Sequence, residues 1–417
     1  MKLTKEKLDS VFCYFVLFVF LEPPVLSYYP QLSIISKMFA TMRYVLGSAF
    51  FAAMIVKSVN GVFKKQRLLL ADSPKRPVVF MGRNNYSRSM WILFYAALLN
   101  AVFVIAAYCN HTVYLTFILS CLSKVGFVSF FLSSYHRRRN SFFRCIVVLM
   151  TAYCTMHMLL QLFIPRGLMG HGDARVWLLG LKNGATLFLL LDLIVTGILY
   201  EKNRSKKLLA LILFINLCTI INRSSTAIIV VLLFDMILYV KLKRRKSLVF
   251  NKITLSAAFL FVWGFFYVVV CKNEQLMISA FVSKLMGKTP TFSGRVAIWK
   301  LALRTYEMNK PWGAGVSLEF HPWGDPANVV YSAHNSILDI LCRYGIFAAV
   351  TFSLIMVAIF LQCLQLKDKK LAIVSCGCIV TLFLAMMFEA EGNGYLFWSI
   401  VVIPFLITDR KIKVLIG

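Results

Sequence analysis

The sequence predicts an all-α protein that crosses a membrane about twelve times, with one long loop on the outer side. Three observations predict it. Of 417 residues, 59% are apolar and 15% charged, where soluble domains run at about 45–50% and about 25%. Apolar runs of roughly 20 residues, enough for a helix to cross about 30 Å of hydrocarbon, recur along the chain. Finally, the 46 Lys and Arg against 17 Asp and Glu, a formal charge of +29, are unevenly placed, about two thirds of them in one alternating set of connections. This composition leaves too little polar surface for soluble domains and excludes disorder, collagen and a disulfide-stapled secreted fold. Such charge in a soluble protein would suggest nucleic acid. Here its placement follows the positive-inside rule, and no nucleic-acid partner is expected.

Taken in order, the expected spans are 9–28, 38–56, 89–109, 112–133, 142–164, 184–200, 207–222, 225–240, 253–271, 334–363, 371–389 and 393–408. The 89–109 run carries no charge, 9–28 is broken by Glu22-Pro23-Pro24, and 207–222 and 225–240 form a short pair. The basic connections are the N-terminus, 57–88, 134–144, 201–207, 241–252, 366–370 and the C-terminal tail, with blocks such as His136-Arg-Arg-Arg139 and Lys241-Leu-Lys-Arg-Arg-Lys246. Both termini are therefore expected in the cytoplasm, in line with an even number of spans. The first apolar run follows three lysines, lacks a small-residue cleavage site and reads as a signal-anchor. Residues 1–417 form one integral membrane domain on this reading. The 11 cysteines stand singly in apolar runs apart from Cys376 and Cys378 and show no metal or redox spacing. No metal or cofactor is expected.

One outer connection, 272–333, is far longer than the usual few residues. Within it, about 293–309 reads as an amphipathic helix capped by Ser293 and stopped at Asn309-Lys310-Pro311. Arg295, Trp299, Ala302 and Tyr306 share one face, and Arg304 lies opposite, beside Lys300. A cation in the first turn conflicts with the helix dipole. A phosphate there would remove the conflict, and a solvated or carboxylate-paired arginine is the competing reading. His334, where the loop re-enters the membrane, is either a proton acceptor or a structural interfacial histidine; Asn335 and Asp339 share the helix face that follows it. In Ile221-Asn-Arg223-Ser-Ser-Thr226 a tight hairpin confines an arginine with no flanking carboxylate, a functional-site signal or interface snorkelling. The histidines at 111, 136, 157, 171 and 321 show no comparable surroundings. Asp192, Asp235 and Lys124 read as helix-packing contacts, with a transporter relay as the other option. Glu22, Glu389 and Glu391 are the few acidic residues near the outer face, little support for a carboxylate metal site.

Ser293-Gly-Arg295-x-x-x-Trp299, Pro311-Trp-Gly-x-Gly315, His334-Asn-x-x-Leu-Asp339 and Arg343-Tyr-Gly345, in that order, resemble the O-antigen ligase/polymerase family of bacterial surface-polysaccharide assembly. The resemblance is concentrated in 290–346 and extends over the rest through the spans, the loop between spans nine and ten, and the arginine between seven and eight. The spacings Arg304-x10-Gly315 and His334-Asn335-x9-Gly345 also match. The chain departs from the pattern at Ala348, at Asn222 in place of a serine, and before span six, where Arg166 and Arg175 lead to Trp177 and Thr186 rather than to glycine.

The resemblance implies a membrane glycosyltransferase of GT-C-type architecture at the outer face of the bacterial cytoplasmic membrane. It implies inverting transfer of undecaprenyl-diphosphate-linked oligosaccharide without metal or nucleotide sugar. The implied catalytic residues are His334 as general base and Arg295 and Arg223 on the diphosphate; the implied substrate-binding residues are Arg304, Asn335, Trp299 and Tyr331. Polymerisation of repeat units into capsule or O-antigen is the expected reaction. The alternatives are ligation to lipid A core or another acceptor, and a transporter or flippase of lipid-linked sugars. Expected partners are the glycan donor and acceptor, membrane lipid, a chain-length regulator and a flippase protein.

Overall fold

In a computed structural model the described residues are 5–71, 85–169, 175–203, 205–242, 251–271, 295–321 and 329–407. Backbone N–H and C=O groups in hydrocarbon must be satisfied within their own segment, so the apolar runs become helices. These are α1 (Lys5–Phe20), α2 (Val25–Tyr28), α3 (Ser33–Ala71), α4 (Asn85–Cys109), α5 (Leu115–Phe163), α6 (Thr186–Asn203), α7 (Lys206–Asn222), α8 (Ser225–Leu242) and α9 (Lys252–Phe265). They continue with α10 (Arg295–Met308), α11 (Ser336–Leu364), α12 (Lys369–Met386) and α13 (Tyr395–Ile407). Two short antiparallel strands, β1 (Val176–Trp177) and β2 (Gly180–Leu181), pair Val176 with Leu181. Among the described residues, six segments are long and apolar enough to cross a membrane: Pro30–Val56, Met90–Cys109, Leu115–Tyr135, Ser141–Phe163, Ser336–Leu364 and Lys369–Met386. Lys252–Val268 and Tyr395–Ile407 are shorter apolar helices. The chain is an all-α multi-pass membrane protein.

Several boundaries differ from the sequence reading. The expected span 9–28 is two pieces, because Pro23 and Pro24 lack the N–H that a continuing helix requires. Helix α3 runs on to Ala71, well into the expected loop 57–88. The apolar run stops before the helix does, since Lys, Gln, Arg and Leu are good helix formers in water. Helical structure runs from Leu115 to Phe163, joining two expected spans. The rings of Phe131 and Phe142 nevertheless stand 4.9 Å apart, and those of Tyr135 and Phe143 5.3 Å. Eleven residues of straight helix cover about 16 Å, so the chain reverses between Tyr135 and Ser141 and α5 is two antiparallel arms.

Helix α11 is interrupted as well. Gly345 has φ 75° and ψ −173°, and Ile340 and Phe352, one on each side of it, both approach Gly392. The break lies against the loop that precedes α11: Ala314 N–H donates to Cys342 O (2.7 Å), Gly315 N–H to Arg343 O (3.0 Å) and Ile346 N–H to Pro311 O (3.0 Å).

The turn between α12 and α13 is recessed. Asn393 Nδ2 donates to Asn100 Oδ1 at 3.0 Å, and Tyr395 Oη meets Ser123 Oγ at 2.6 Å. Asn100 lies nine residues before the end of α4 and Ser123 eight after the start of α5, so this turn sits about 12–14 Å inside the bundle. The end from which it is recessed, the one that carries residues 110–114, is the site end.

A Cβ at Gly345 would stand 1.9 Å from Pro311 O, on a backbone that L side chains avoid. Gly345→Ala is expected to lose about 2 kcal/mol or more, read as a lower unfolding temperature in detergent. Gly264→Ala, helical and with nothing within 4 Å of the added methyl, is expected to be neutral or to gain ~0.5–1 kcal/mol.

Candidate active site

The motif residues around the break are mostly scaffold. Asp339 Oδ1 accepts from Ala333 N–H at 2.9 Å, and Oδ2 from Arg343 Nε at 3.0 Å. Arg343 donates further to the carbonyls of Val316 (2.5 Å), Leu318 (3.1 Å) and Tyr331. One guanidinium fork thus ties both strands of the loop to α11, a role that suits its planar set of donors. Phe320 and Val330 close the loop with two backbone hydrogen bonds of 2.8 and 2.9 Å.

His334 is set between two fixed neighbours. Ala333 is tied to Asp339, and Asn335 is fully buried as the N-cap of α11, its Oδ1 accepting from Leu338 N–H at 3.0 Å. Asn335 Nδ2 donates to Met387 O at 3.1 Å, and Ser336 Oγ donates to Glu389 O at 2.6 Å. His334 itself has φ 47°, a left-handed conformation that an ordinary residue keeps only when its surroundings impose it. Among the described residues its imidazole makes no hydrogen bond. Burial, and then the Arg295 guanidinium, push that imidazole down to about 4. It is therefore neutral near pH 7, with a lone pair to receive a proton.

Arg295 opens α10, whose inner face is fixed by the fully buried Trp299 and Ala302. Its Nη2 lies 3.1 Å from Glu389 Oε1, and its guanidinium lies 5.6 Å from the centre of the Phe388 ring. Burial raises the Glu389 carboxyl to about 7, against the opposing pull of Arg295. Glu391 is exposed, yet protein encloses it closely enough that burial also raises it to about 7. Among the described residues, no three His, Cys, Asp or Glu side chains gather in a metal-binding arrangement.

Arg295 and His334 thus lie within electrostatic reach of each other. Arg223 belongs to a different element, the hairpin between α7 and α8. It caps α7 with φ 52° and presents an exposed guanidinium with no hydrogen bond or ion pair among the described residues. Its hairpin packs on the β1–β2 segment, where Ser224 Oγ donates to Asn183 Oδ1 at 2.9 Å and Asn222 Nδ2 to Lys182 O at 2.7 Å. That segment meets α2 through Val25 N–H and Leu178 O at 3.1 Å, and Tyr28 lies within electrostatic reach of Glu391 and Glu389. Arg304 and Tyr331 are exposed. Asn335, expected to bind substrate, has both ends of its amide engaged within the protein, and Trp299 is entirely buried. Ser293 and the rest of 272–294 lie outside the described residues.

Three further residues matter that sequence reasoning passed over. Glu389 is the partner of Arg295, and Glu391 lies within electrostatic reach of Glu389. His157 Nδ1 accepts from Leu179 N–H at 3.1 Å while its Nε2 faces Asn222 Oδ1 at 3.2 Å. A single buried imidazole thereby links α5, the β1–β2 segment and the Arg223 hairpin. No local signal identifies Glu389 or His157, since their partners lie 94 and 65 residues away.

Residues 208–353 match the family model described as O-antigen ligase. No curated protein matches the chain. The matched segment runs from α7 into α11 and contains Arg223, Arg295, Arg304, Tyr331, His334 and Arg343. It bears out the resemblance to the O-antigen ligase/polymerase family and implies, in general terms, a glycosyl-transfer enzyme.

An anion that binds Arg295 must displace the Glu389 carboxylate. As pH falls through about 7, Glu389 takes up a proton and Arg295 is released. Binding of inorganic diphosphate is expected to tighten from pH 8 to pH 6 more in the wild-type protein than in Glu389→Gln, which keeps only the titration of the ligand. Isothermal titration at each pH reads the difference.

Proposed function

We propose that the chain is a membrane glycosyltransferase that joins undecaprenyl-diphosphate-linked oligosaccharide repeat units into capsule or O-antigen polysaccharide at the outer face of the bacterial cytoplasmic membrane. The observation that carries this reading is the His334 imidazole, neutral and without a hydrogen bond among the described residues, within electrostatic reach of the Arg295 guanidinium. The family match over 208–353 supports the reaction class.

The chemistry follows from those two groups. An acceptor sugar hydroxyl gives its proton to His334 as its oxygen attacks the anomeric carbon of the donor. The bond from that carbon to the diphosphate oxygen breaks, and the diphosphate leaves with its electron pair. Negative charge grows on the leaving group, so a fixed cation in an enclosed site is the main catalytic need. Arg295 supplies it by exchanging Glu389 for phosphate, and Arg223 offers a second guanidinium from the neighbouring hairpin. Guanidinium groups then stand where another enzyme would place a divalent ion. Arg304 and Tyr331, on the exposed side, are placed to meet the glycan. Trp299 and Asn335 act on this reading by positioning Arg295 and His334.

Transfer to lipid A core would use the same groups with a different acceptor. Both reactions are tested with purified protein in liposomes, given the lipid-linked repeat unit alone and then with lipid A core. A ladder of lengthening products without added core selects the polymerase; product only with core selects the ligase. Replacing His334 by Ala is expected to lower the rate by about 10²–10⁴, and Arg295→Ala by about 10²–10³. Full activity in both variants would overturn the mechanism, and His334-independent transport of lipid-linked sugar would favour a flippase.

A further inference from the structure

We propose that His157 is a positioning residue for Arg223: its imidazole holds the backbone that carries the Arg223 guanidinium, so that this cation meets a diphosphate from a fixed base. The inference rests on the glycosyltransferase reading for the identity of the anion. It goes beyond that reading by naming a residue that acts without touching substrate.

His157 is buried in the second arm of α5, six residues before the helix ends at Phe163. Its Nδ1 accepts from Leu179 N–H at 3.1 Å, in the connection between β1 and β2. A ring nitrogen that accepts leaves the proton on the other one, so Nε2 donates to Asn222 Oδ1 at 3.2 Å. Gln161, one turn further along α5, donates to the same oxygen at 2.9 Å. Both lone pairs of that carbonyl are thereby used, and Asn222 Nδ2 donates to Lys182 O at 2.7 Å.

Asn222 is the last residue of α7, and Arg223 follows it with φ 52°. On the other side Ser224 Oγ donates to Asn183 Oδ1 at 2.9 Å. Both neighbours of Arg223 are therefore tied to residues 182 and 183, while its exposed guanidinium has no hydrogen bond or ion pair among the described residues. Left-handed backbone on a residue other than glycine persists only where its surroundings impose it. The Asn222 amide imposes it here, and His157 supplies one of the two donors to that amide. The edge-on Trp177 ring, 6.2 Å away, would pack as well on any ring at position 157. The two hydrogen bonds need an imidazole in one tautomer.

The test measures binding of inorganic diphosphate to the full-length protein in detergent by isothermal titration. His157→Phe keeps a ring and loses both hydrogen bonds; it is expected to weaken binding about tenfold, the scale of one charge-assisted contact. His157→Gln, whose amide nitrogen takes the place of Nε2, is expected to keep most of the affinity. Added to Arg223→Ala, His157→Phe is expected to cost nothing more, because a positioning residue acts through the group it positions. Should the Phe variant not fold, Asn222→Ala removes the other end of the contact and is read in the same way. A double variant that binds a further tenfold more weakly than Arg223→Ala overturns the inference, since the loss then arises elsewhere in the bundle. So does a His157→Phe or Arg223→Ala protein that binds diphosphate as the wild type does. Wild-type protein that shows the coupling but transfers no sugar to any acceptor overturns the glycosyltransferase reading instead.

Discussion

A helix broken inside an apolar bundle exposes amides and carbonyls that lipid cannot satisfy, and the site depends on how this is resolved at Gly345. The loop segment Pro311–Gly315 supplies the missing partners, while Asn110 donates at 3.3 Å to both Trp312 O and Arg343 O. Gly313 and Gly345 let the two backbones approach; a Cβ on Gly313 would stand 2.6 Å from Arg343 O. The break therefore does two things at once. It lets the first arm of α11 and the second converge on Gly392, and it anchors the long loop so that α10 and His334 come to one place. The Pro-Trp-Gly-x-Gly and Arg-Tyr-Gly motifs are two halves of that seam.

Two of the cations in the bundle are held by carboxylates. A cation enclosed in a bundle needs a counter-ion, and Glu389 and Glu22 provide one to Arg295 and Arg43. On the proposed reading Glu389 competes with phosphate for Arg295, and burial, which raises its carboxyl to about 7, weakens that competition. An acid with an ordinary pKa would hold Arg295 against the substrate at neutral pH, and an apolar residue would leave the guanidinium unpaired. The carboxyl is matched to a cation that must be both kept and released.

The helical face Arg295–Trp299–Ala302 and its opposite, Arg304, were legible in the sequence, because burial within one helix follows a fixed period. The spans were legible to within a few residues where an apolar run and a helix coincide, as in α4 and α12. They were not where a good helix former continues beyond the lipid, as in α3, or where a reversal keeps helical bonding, as in α5. The N-cap role of Asn335 carried a local signal, an Asn just ahead of an apolar helix with Asp339 in its first turn, but reading it as a substrate ligand left no room for a cap. The depth of the 387–394 turn and the pairing of Arg295 with Glu389 depend on contacts between distant segments, which no window of sequence contains.

His334 and Arg223 share a construction that follows from this division of labour. Each is a non-glycine residue in the left-handed region, with His111 the remaining case among the described residues, and such backbone costs on the order of 1–3 kcal/mol. Each adjoins a buried asparagine whose amide is fully engaged. Asn335 is held by Leu338 and Met387. Asn222 is held by His157, Gln161 and Lys182, at 3.2, 2.9 and 2.7 Å. Because His157 Nδ1 accepts from the Leu179 amide, its Nε2 carries the proton and donates to Asn222. In both places the hydrogen bonds end on the asparagine, and among the described residues the neighbouring imidazole or guanidinium has no hydrogen-bond partner. Rigid backbone under an uncommitted side chain is the arrangement a polar reaction needs: the group is already placed, and no internal bond must be broken before it meets the substrate.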